Sequence, residues 1–329
     1  MKKSLCLLLV FSMMMLLLAA CGGKKEEAGQ ERLPNLMVMS GPTGVGAAKL
    51  LADHEAAADG EKLLASATVV ADNTAITSAL INGEADIAAI ATNMASTLYN
   101  KLDGDLQVLA INTMGVLYIL EKGDSVTNME DLRGKTVYAT GQGANPEYIL
   151  NYLLTSSGVD PSEVDIQWMT AQEVTAAMAT GEEGVCMLPV PAATALMIKD
   201  AGVRQAISLS EVWDSLGNGA LAQGCIVARK SYVQENPQAV AAFLQAYEAS
   251  ISYMKTESNR AEAAQLVAQY GITANAAIAN KAIDQCNLTY VTGQQMKDML
   301  VSFLGVMYAA NPASIGGKMP EGDFYYGVG

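Results

Sequence analysis

Residues 136–146 read TVYATGQGANP, which places a short strand, a glycine-rich turn and the start of a helix in direct succession. The run at residues 136–139 has the composition of a strand. The turn at residues 140–145 contains Gly141 and Gly143, and Pro146 is a favoured first position of a helix. Strand, turn and helix in this order predict one unit of an α/β fold with a mostly parallel sheet.

The same arrangement occurs about 100 residues earlier in the chain. Residues 36–39 form an apolar run, residues 40–46 form a loop with three glycines, and a helical pattern starts at Ala47. Gly83 and Gly181, which are 98 positions apart, each end an alanine-rich helical stretch that precedes a strand. The repetition predicts two lobes of similar βαβαβ plan. The alternative is a coincidence between alanine-rich α/β segments.

The rest of the chain extends this division into lobes. Asn236-Pro237 is expected to open one C-terminal helix and Gly271 to end another. These helices have no sheet of their own in this interpretation, so we expect them to pack on the first lobe. Further strands are predicted at residues 67–71, 87–90, 165–169 and 225–228, followed by mostly helix at residues 231–308. The predicted domains are a signal peptide (1–20), a flexible tether (21–34), lobe 1 (35–113 plus 221–329) and lobe 2 (114–220).

The N-terminus has the features of a bacterial lipoprotein signal. Lys2 and Lys3 precede an uncharged apolar stretch, and Leu18-Ala19-Ala20-Cys21 ends it with two small residues before a cysteine. This pattern predicts an extracytoplasmic protein, lipidated at Cys21 and anchored to the bacterial cell membrane. An ordinary signal peptide with an incidental cysteine, or a short membrane anchor, are the alternatives.

The charge balance limits the partners of the mature chain. The chain has 34 acidic and 20 basic residues, and loss of Lys2 and Lys3 with the signal leaves 18 basic residues and a net charge of −16. Nucleic acid requires basic patches, so we expect no nucleic-acid partner. Anionic lipid would repel the acidic body, so contact with the membrane is expected through the lipid anchor only.

Few residues could support catalysis or metal binding. His54 is the only histidine, so any Ser-His-Asp, Cys-His or histidine-bearing metal site would have to use it. It lies between an aspartate and a glutamate in a helical pattern, where neighbouring side chains diverge, and we expect it to be solvated. Cys186, Cys225 and Cys286 are odd in number and have no CxxC spacing, so small buried apolar residues are the favoured interpretation. We therefore predict no cofactor, no metal and no enzymatic activity.

The candidate ligand site follows from the predicted topology. In open α/β sheets a ligand binds beyond the carboxyl ends of the strands, near helix N-termini. Loops at these ends are rich in Gly, Thr, Asn and Gln, and none contains arginine, which suits a monoanion or a neutral polar heterocycle. The predicted ligand-binding residues are Ser40, Gly41, Pro42, Thr43, Gly44, Asn73, Thr74, Thr92, Asn93, Thr113, Gly141, Gln142, Gly143, Ala144, Asn145, Trp168, Pro189, Val190 and Gln223.

Alternatives remain open for several of these residues. The loops could merely turn the chain, and Trp168 could be a core residue rather than a stacking platform for a flat ligand. The loop at residues 41–46 is not a P-loop, because Ala47 and Ala48 stand where Lys and Ser or Thr are required.

Three motifs resemble those of ABC-transporter substrate-binding proteins with the type II periplasmic-binding-protein fold. DLRGKTV at residues 131–137 resembles the entry to the second lobe, GVLYIL at 115–120 the strand before it, and NPQAVAAFL at 236–244 the helix after the chain returns. The similar cluster contains nitrate, sulfonate and taurine receptors and NMT1/THI5-like thiamine-pyrimidine receptors. GVCMLPVP at residues 184–191 departs from the acidic and Pro-aromatic pattern of many relatives. This departure counts against a sulfonate or pyrimidine ligand.

The resemblance implies a solute receptor with two α/β lobes around a ligand cleft. Such a receptor would act as a monomer, close on a small polar molecule and deliver it to the permease and ATPase of an importer. The segments at residues 113–114 and 221–225 would be the hinges. The alternatives are a lipoprotein enzyme on the same fold, and a sensory or scaffold lipoprotein that is not coupled to import.

Overall fold

The computed structural model describes residues 31–71 and 73–328 of the chain. These residues contain two β-sheets. Residues from Leu33 onward form one compact unit. The sheet of the first lobe contains β1 (Asn35–Met39), β2 (Ser66–Val70), β3 (Ile87–Ala91), β4 (Gln107–Thr113), β10 (Gly224–Ala228) and β11 (Leu288–Val291). The sheet of the second lobe contains β5 (Leu117–Lys122), β6 (Thr136–Ala139), β7 (Asp165–Trp168), β8 (Gly184–Pro189) and β9 (Val203–Ser208).

The two sheets share one strand order. It is β2-β1-β3-β10-β4 in the first lobe, with β11 added beside β4, and β7-β6-β8-β5-β9 in the second. In each sheet the first three strands are parallel and the fourth is antiparallel to both neighbours. The antiparallel strand is in each case the first strand after the chain enters that lobe. The predicted two-lobe α/β fold is confirmed. The sequence did not predict that β10 and β5 run antiparallel to their neighbours.

Helices cover the faces of both sheets. In the first lobe they begin with α1 (Pro42–Val45), α2 (Ala48–Ala56), α3 (Asn73–Asn82) and α4 (Thr92–Lys101). The second lobe contains α5 (Asn145–Ser156), α6 (Ala171–Thr180), α7 (Ala192–Lys199) and α8 (Leu209–Ser215). The C-terminal part contains α9 (Lys230–Glu235), α10 (Pro237–Lys255), α11 (Arg260–Gln269), α12 (Ala276–Ala282) and α13 (Gly293–Ala310). None of these helices is long and apolar enough to cross a bilayer.

The elements predicted from the sequence lie within one or two residues of the observed ones. Helix α5 begins one residue before the expected Pro146, and Thr170 and Glu173 form the expected capping box at the start of α6. The prediction that residues 40–46 form only a loop is wrong. Pro42 at the first turn starts α1 within them, because its restricted φ suits a helix start.

The C-terminal part also differs from the expectation. Residues 231–308 are predicted as mostly helix, and the structure adds one short strand there, β11, which pairs with β4 in the first sheet. A four-residue strand is too short to show a period of two, so the sequence pattern does not reveal it. Helices α10 and α11 pack against α2, and α13 packs against β4, as expected for the first lobe, whereas α12 contacts α7 of the second lobe. In α10 the buried side chains recur at three- and four-residue spacing: Val240, Phe243, Tyr247, Ile251 and Met254.

A buried carboxylate, that of Glu121, links the last two strands of the second sheet, β5 and β9. Glu121 in β5 is 2% exposed and accepts hydrogen bonds from the Ser125 hydroxyl at 2.7 Å and the Val126 N–H at 3.1 Å. It also pairs with the Arg204 guanidinium of neighbouring β9. Burial acts to raise the pKa of Glu121, but these hydrogen bonds and the Arg204 charge outweigh it and hold the pKa below its usual value.

Glu121→Gln should therefore lower the free energy of unfolding at pH 7 by about 2 kcal/mol, because it removes charge-assisted hydrogen bonds. Urea unfolding measures the difference. A carboxyl with a lowered folded-state pKa stabilises the protein above its unfolded pKa, and this stabilisation is lost as the pH falls through the folded-state pKa. The wild type and the variant should thus converge below the ordinary pKa of 4.5.

Asp59→Asn is the matched control, because Asp59 pairs with Lys62 while its side chain remains fully exposed. Its unfolding curve should coincide with that of the wild type. A difference between Glu121→Gln and the wild type that persists unchanged down to pH 3 would contradict the assignment.

Candidate functional site

The two lobes meet at the carboxyl ends of their parallel strands, where the chain crosses between them. β4 ends at Thr113 and β5 begins at Leu117, so the outward crossing is three residues long. The return crossing follows α8 and ends at Gly224, the first residue of β10. Both crossings lie beside the loops that contain the predicted ligand-binding residues.

Gln223 is the centre of this junction and is 6% exposed. Its N–H donates to the Thr113 carbonyl at 3.1 Å, and its side-chain Oε1 accepts from the Val116 N–H at 2.6 Å. Its carbonyl accepts from the Thr92 N–H at 3.2 Å and from Asn145 Nδ2 at 2.7 Å. One residue on the return crossing thus binds the outward crossing and the N-terminal ends of a helix in each lobe.

Thr92 and Asn145 connect the lobes directly. Each is 1% exposed, and Asn145 Nδ2 of α5 donates to Thr92 Oγ1 of α4 at 3.1 Å. Thr92 Oγ1 in turn donates to the Ala222 carbonyl at 2.6 Å. The orientation of the Asn145 amide follows from its partners, because the Gln223 carbonyl can only accept.

Two buried amide oxygens at this junction have no hydrogen-bond partner among the described residues: Asn145 Oδ1 and Asn93 Oδ1. Asn93 is also 1% exposed, and its Nδ2 donates to the Ser314 carbonyl at 3.1 Å, which leaves its oxygen as the free group. Both oxygens are acceptors. Asn145 therefore offers one buried acceptor at the junction, and Asn93, next to Thr92 in α4, offers a second, to groups that carry N–H or O–H donors.

A second polar cluster lies at the ends of β4 and β10. Asn112 Nδ2 donates to the Thr43 carbonyl at 3.0 Å and to the Tyr247 hydroxyl at 2.9 Å. The Thr113 hydroxyl donates to Asn112 Oδ1 at 3.0 Å. Burial raises the pKa of Tyr247, so its phenol stays protonated at neutral pH. Sequence reasoning missed Asn112 and Tyr247; the position of Asn112 at the end of an apolar run was the available signal for the first.

The first predicted loop, residues 40–44, lies against this cluster. The Ser40 N–H donates to the Val70 carbonyl at 2.8 Å and the Gly41 N–H to the Ile272 carbonyl at 3.1 Å. Pro42 and Thr43 form the first turn of α1. At Gly44 a Cβ would lie 2.1 Å from the Met39 carbonyl oxygen, so no other residue fits there without backbone movement.

Other predicted residues lie in different surroundings. Gln142 and Gly143 are exposed, and Ala144 is buried as the N-cap residue of α5, beside Gly141, whose φ is +92°. Trp168 is partly buried and packs against the core, and Val190 is buried beside Pro189, with its N–H donating to the Val116 carbonyl at 3.0 Å. Asn73 and Thr74 lie in the first turn of α3. The ligand contacts of all these residues stay a prediction.

The candidate nucleophiles are buried. Cys186, Cys225 and Cys286 are unpaired and buried, as expected for small apolar residues. Burial raises the pKa of Cys186 and of Cys286 to about 12, so these thiols are protonated at neutral pH. His54, expected to be solvated, is instead partly buried with an unpartnered Nδ1 near the end of α2. No group of three or more His, Cys, Asp or Glu residues in the described ranges could hold a metal ion.

A cavity of about 530 Å³ lies between α5 and the C-terminal end of α13, and none of the predicted site residues lines it. The junction at Gln223 contains polar side chains that the sequence predicts as ligand-binding residues, whereas the sequence does not predict this cavity. We take the junction as the candidate site because the crossings and the strand ends of both lobes converge there.

Gly224→Ala should disturb this junction. A Cβ at Gly224 would lie 2.5 Å from Thr43 Cγ2 and 2.8 Å from Asn112 Oδ1, so we expect a loss of about 1–3 kcal/mol in unfolding free energy from overpacking. Denaturant unfolding measures it. The control is Gly305→Ala in α13, where a Cβ meets nothing within 4 Å and the stability should rise by up to about 1 kcal/mol. Equal effects of the two substitutions would show that the close approach at Gly224 is wrongly described.

Comparison with known proteins agrees with this fold. Residues 106–261 match the family model described as "NMT1/THI5 like". No curated protein sequence matches the chain.

Several solved structures share the fold over most of its length. An ABC transporter structure from Parabacteroides distasonis is 24% identical, with a TM-score of 0.73 over 89% of this chain and 98% of that one. The periplasmic aliphatic sulphonate binding protein SsuA from Escherichia coli is 15% identical, with a TM-score of 0.70 over 89% and 93%. The alkanesulfonate-binding protein SsuA from Xanthomonas axonopodis, bound to MOPS, is 16% identical, with a TM-score of 0.66 over 86% and 94%. The resemblance predicted from the sequence is therefore confirmed: the chain matches the NMT1/THI5-like model in its central part and has the fold of periplasmic sulphonate-binding proteins.

Proposed function

We propose that this chain is an extracytoplasmic solute-binding protein that captures a small polar organic molecule between its lobes and delivers it to the permease and ATPase of an ABC importer. The observation that carries the proposal is the junction at Gln223. There, loops from both lobes converge on one buried hydrogen-bond network. The similar sulphonate-binding structures support the role in import, because they share the whole two-lobe fold.

Lobe closure is the proposed mechanism. The contact between Asn145 and Thr92 joins the N-terminal ends of α5 and α4, which belong to different lobes. Only the two crossings link the lobes covalently, so rotation about them would separate this pair. A ligand that contacts both lobes favours the closed arrangement by its difference in affinity for the two states.

The ligand class follows from the groups at the junction. Asn93 Oδ1 and Asn145 Oδ1 are free acceptors, and the nearby hydroxyls can donate or accept. None of the predicted loops contains arginine. We therefore propose a neutral or weakly charged organic solute with N–H or O–H donors, in preference to a dianion held by guanidinium groups. Because the side chains at the junction are amides and hydroxyls and the thiols are protonated, we propose that the protein binds its solute without catalysis. We also propose that it acts as a monomer.

The solute is tested by native mass spectrometry of the mature protein purified without denaturation, which should show a co-purified small molecule. Adding this molecule back to refolded protein at 100 times its Kd should stabilise the fold by about 2.7 kcal/mol, seen as a rise of several degrees in Tm.

Asn145→Ala removes two hydrogen bonds across the lobes. It should weaken binding about tenfold and increase the radius of gyration measured by small-angle X-ray scattering.

The control is Asn82→Ala, because Asn82 is exposed at the C-terminal end of α3, the end remote from the strand ends that meet at the junction. It should bind like the wild type. Solute binding that is unchanged in Asn145→Ala would contradict closure through this contact. Turnover of the solute would favour a lipoprotein enzyme on the same fold. A gene neighbourhood without permease and ATPase would favour a sensory or scaffold protein.

The lipid anchor is a separate part of the proposal. Cys21 and the signal peptide lie outside the described residues, so the sequence pattern is its support. Cys21→Ser should move the protein from the membrane fraction to the soluble fraction and abolish incorporation of a labelled fatty acid. Cys286→Ser, at a buried thiol, is the control and should remain in the membrane fraction. Labelling that persists in Cys21→Ser would contradict the anchor.

A further inference from the structure

The cavity between α5 and α13 has the size of a small-molecule site. Its volume of about 530 Å³ lies within the range of roughly 300–1,000 Å³ that ligand pockets occupy. It is lined on one side by Tyr148, Asn151, Tyr152, Thr155 and Ser156 of α5, which recur at helical spacing and so form one face of that helix. The other side is the C-terminal end of α13 with its C-cap residue; the lining residues there are Val306, Met307, Ala309, Ala310 and Asn311, and Pro161 also lines the cavity.

The lining is neutral and amphipathic. No Asp, Glu, Lys, Arg or His is among the residues that line the cavity. A charged ligand would lose hydration there without gaining a countercharge, which is costly. Amide and hydroxyl groups from Asn151, Thr155 and Ser156 can instead hydrogen-bond to the polar edge of a neutral molecule.

Three aromatic rings in tilted contact lie behind one wall of the cavity. The ring of Tyr152 lies 5.3 Å from that of Trp213, which lies 5.6 Å from Phe303, and both of the latter are fully buried. The Tyr152 hydroxyl donates to Asn218 Oδ1 at 3.1 Å, and Trp213 Nε1 donates to the Gly219 carbonyl at 3.0 Å. These contacts hold the Tyr152 ring in place, so an aromatic ligand would meet a pre-organised surface.

We propose that this cavity is a second binding site, for a neutral aromatic molecule with a polar edge, separate from the solute site at Gln223. Helix α5 belongs to the second lobe, whereas α13 contacts β4 of the first lobe. A molecule in the cavity therefore touches elements of both lobes. Its binding favours their contact and raises the affinity for a solute that also requires closed lobes.

Benzamide is the probe, because it is neutral, flat and has an amide edge. Protein-observed NMR titration of the mature chain should show saturable binding with a Kd on the order of 1 mM, as expected for so small a ligand. Benzoate, which has the same shape and a negative charge, and cyclohexanecarboxamide, which has no aromatic ring, should each bind at least tenfold more weakly. Benzamide binding no tighter than that of either analogue would overturn the proposed ligand class.

The location is tested by filling the cavity from its exposed rim. Ala309→Trp in α13 should reduce benzamide affinity at least tenfold, and so should Thr155→Trp from the opposite wall, since both residues line the cavity and are exposed. Tyr308→Trp is the matched control, because Tyr308 is exposed beside Ala309 but does not line the cavity. Wild-type affinity in both filled variants, with folding verified by circular dichroism, would overturn the site.

The affinity for benzamide also tests whether binding in the cavity is coupled to closure of the lobes. Asn145→Ala, which loosens the lobe contact, should weaken benzamide binding severalfold if the cavity depends on closed lobes. Unchanged benzamide affinity in this variant would overturn the coupling. None of these measurements needs the natural solute, so their failure is distinguishable from failure of the proposed transport function.

Discussion

The junction between the lobes depends on Gln223, because the buried polar groups of this residue must all be hydrogen-bonded. Its N–H, carbonyl and side-chain oxygen are all buried, and each would be costly to leave unpaired. They are satisfied by Thr113, Thr92, Asn145 and Val116, which come from the outward crossing and from both lobes. Gln223 therefore ties the two crossings to the N-terminal ends of α4 and α5, and further contacts such as Thr194 Oγ1 to Gln285 Oε1 and the Trp213–Phe303 ring pair also join the lobes.

The crossing of the chain explains the shared strand order. Each lobe receives one strand from the chain as it arrives from the other lobe: β5 in the second and β10 in the first. Each inserts antiparallel between strands that run the same way. The inserted strands place both crossings at the carboxyl ends of the parallel strands, where the glycine, threonine and asparagine loops also lie. A binding site between the lobes is the natural use of this geometry.

Part of the candidate site could be predicted because polar residues that follow an apolar strand mark its carboxyl end. Thr92, Asn93 and Asn145 were found in this way, and the structure joins Thr92 to Asn145 by a hydrogen bond, whereas the Asn93 amide donates to the Ser314 carbonyl. Tyr247 lies in the middle of α10, where its spacing indicates only a core face, and its contact with Asn112 spans 135 positions. Tyr152 likewise lies within α5, yet it lines a cavity, and its ring contacts that of Trp213 at an angle of 58°. Such contacts depend on which helix packs opposite, which no local pattern encodes.

Local sequence patterns are sufficient to predict most helices and strands and their repetition in two lobes. Glycine and proline positions, helix caps and apolar periodicity act over a few residues, so they predict the two α/β lobes and the strand ends at which the candidate binding loops lie. The tertiary structure alone decided the direction of β5 and β10, the addition of β11, the hydrogen bonds of Gln223 and the cavity beside α13. The physical reason is that sheet pairing and burial of polar groups join residues a hundred or more positions apart. Their energies depend on the partner that is brought near and not on the local residue pattern.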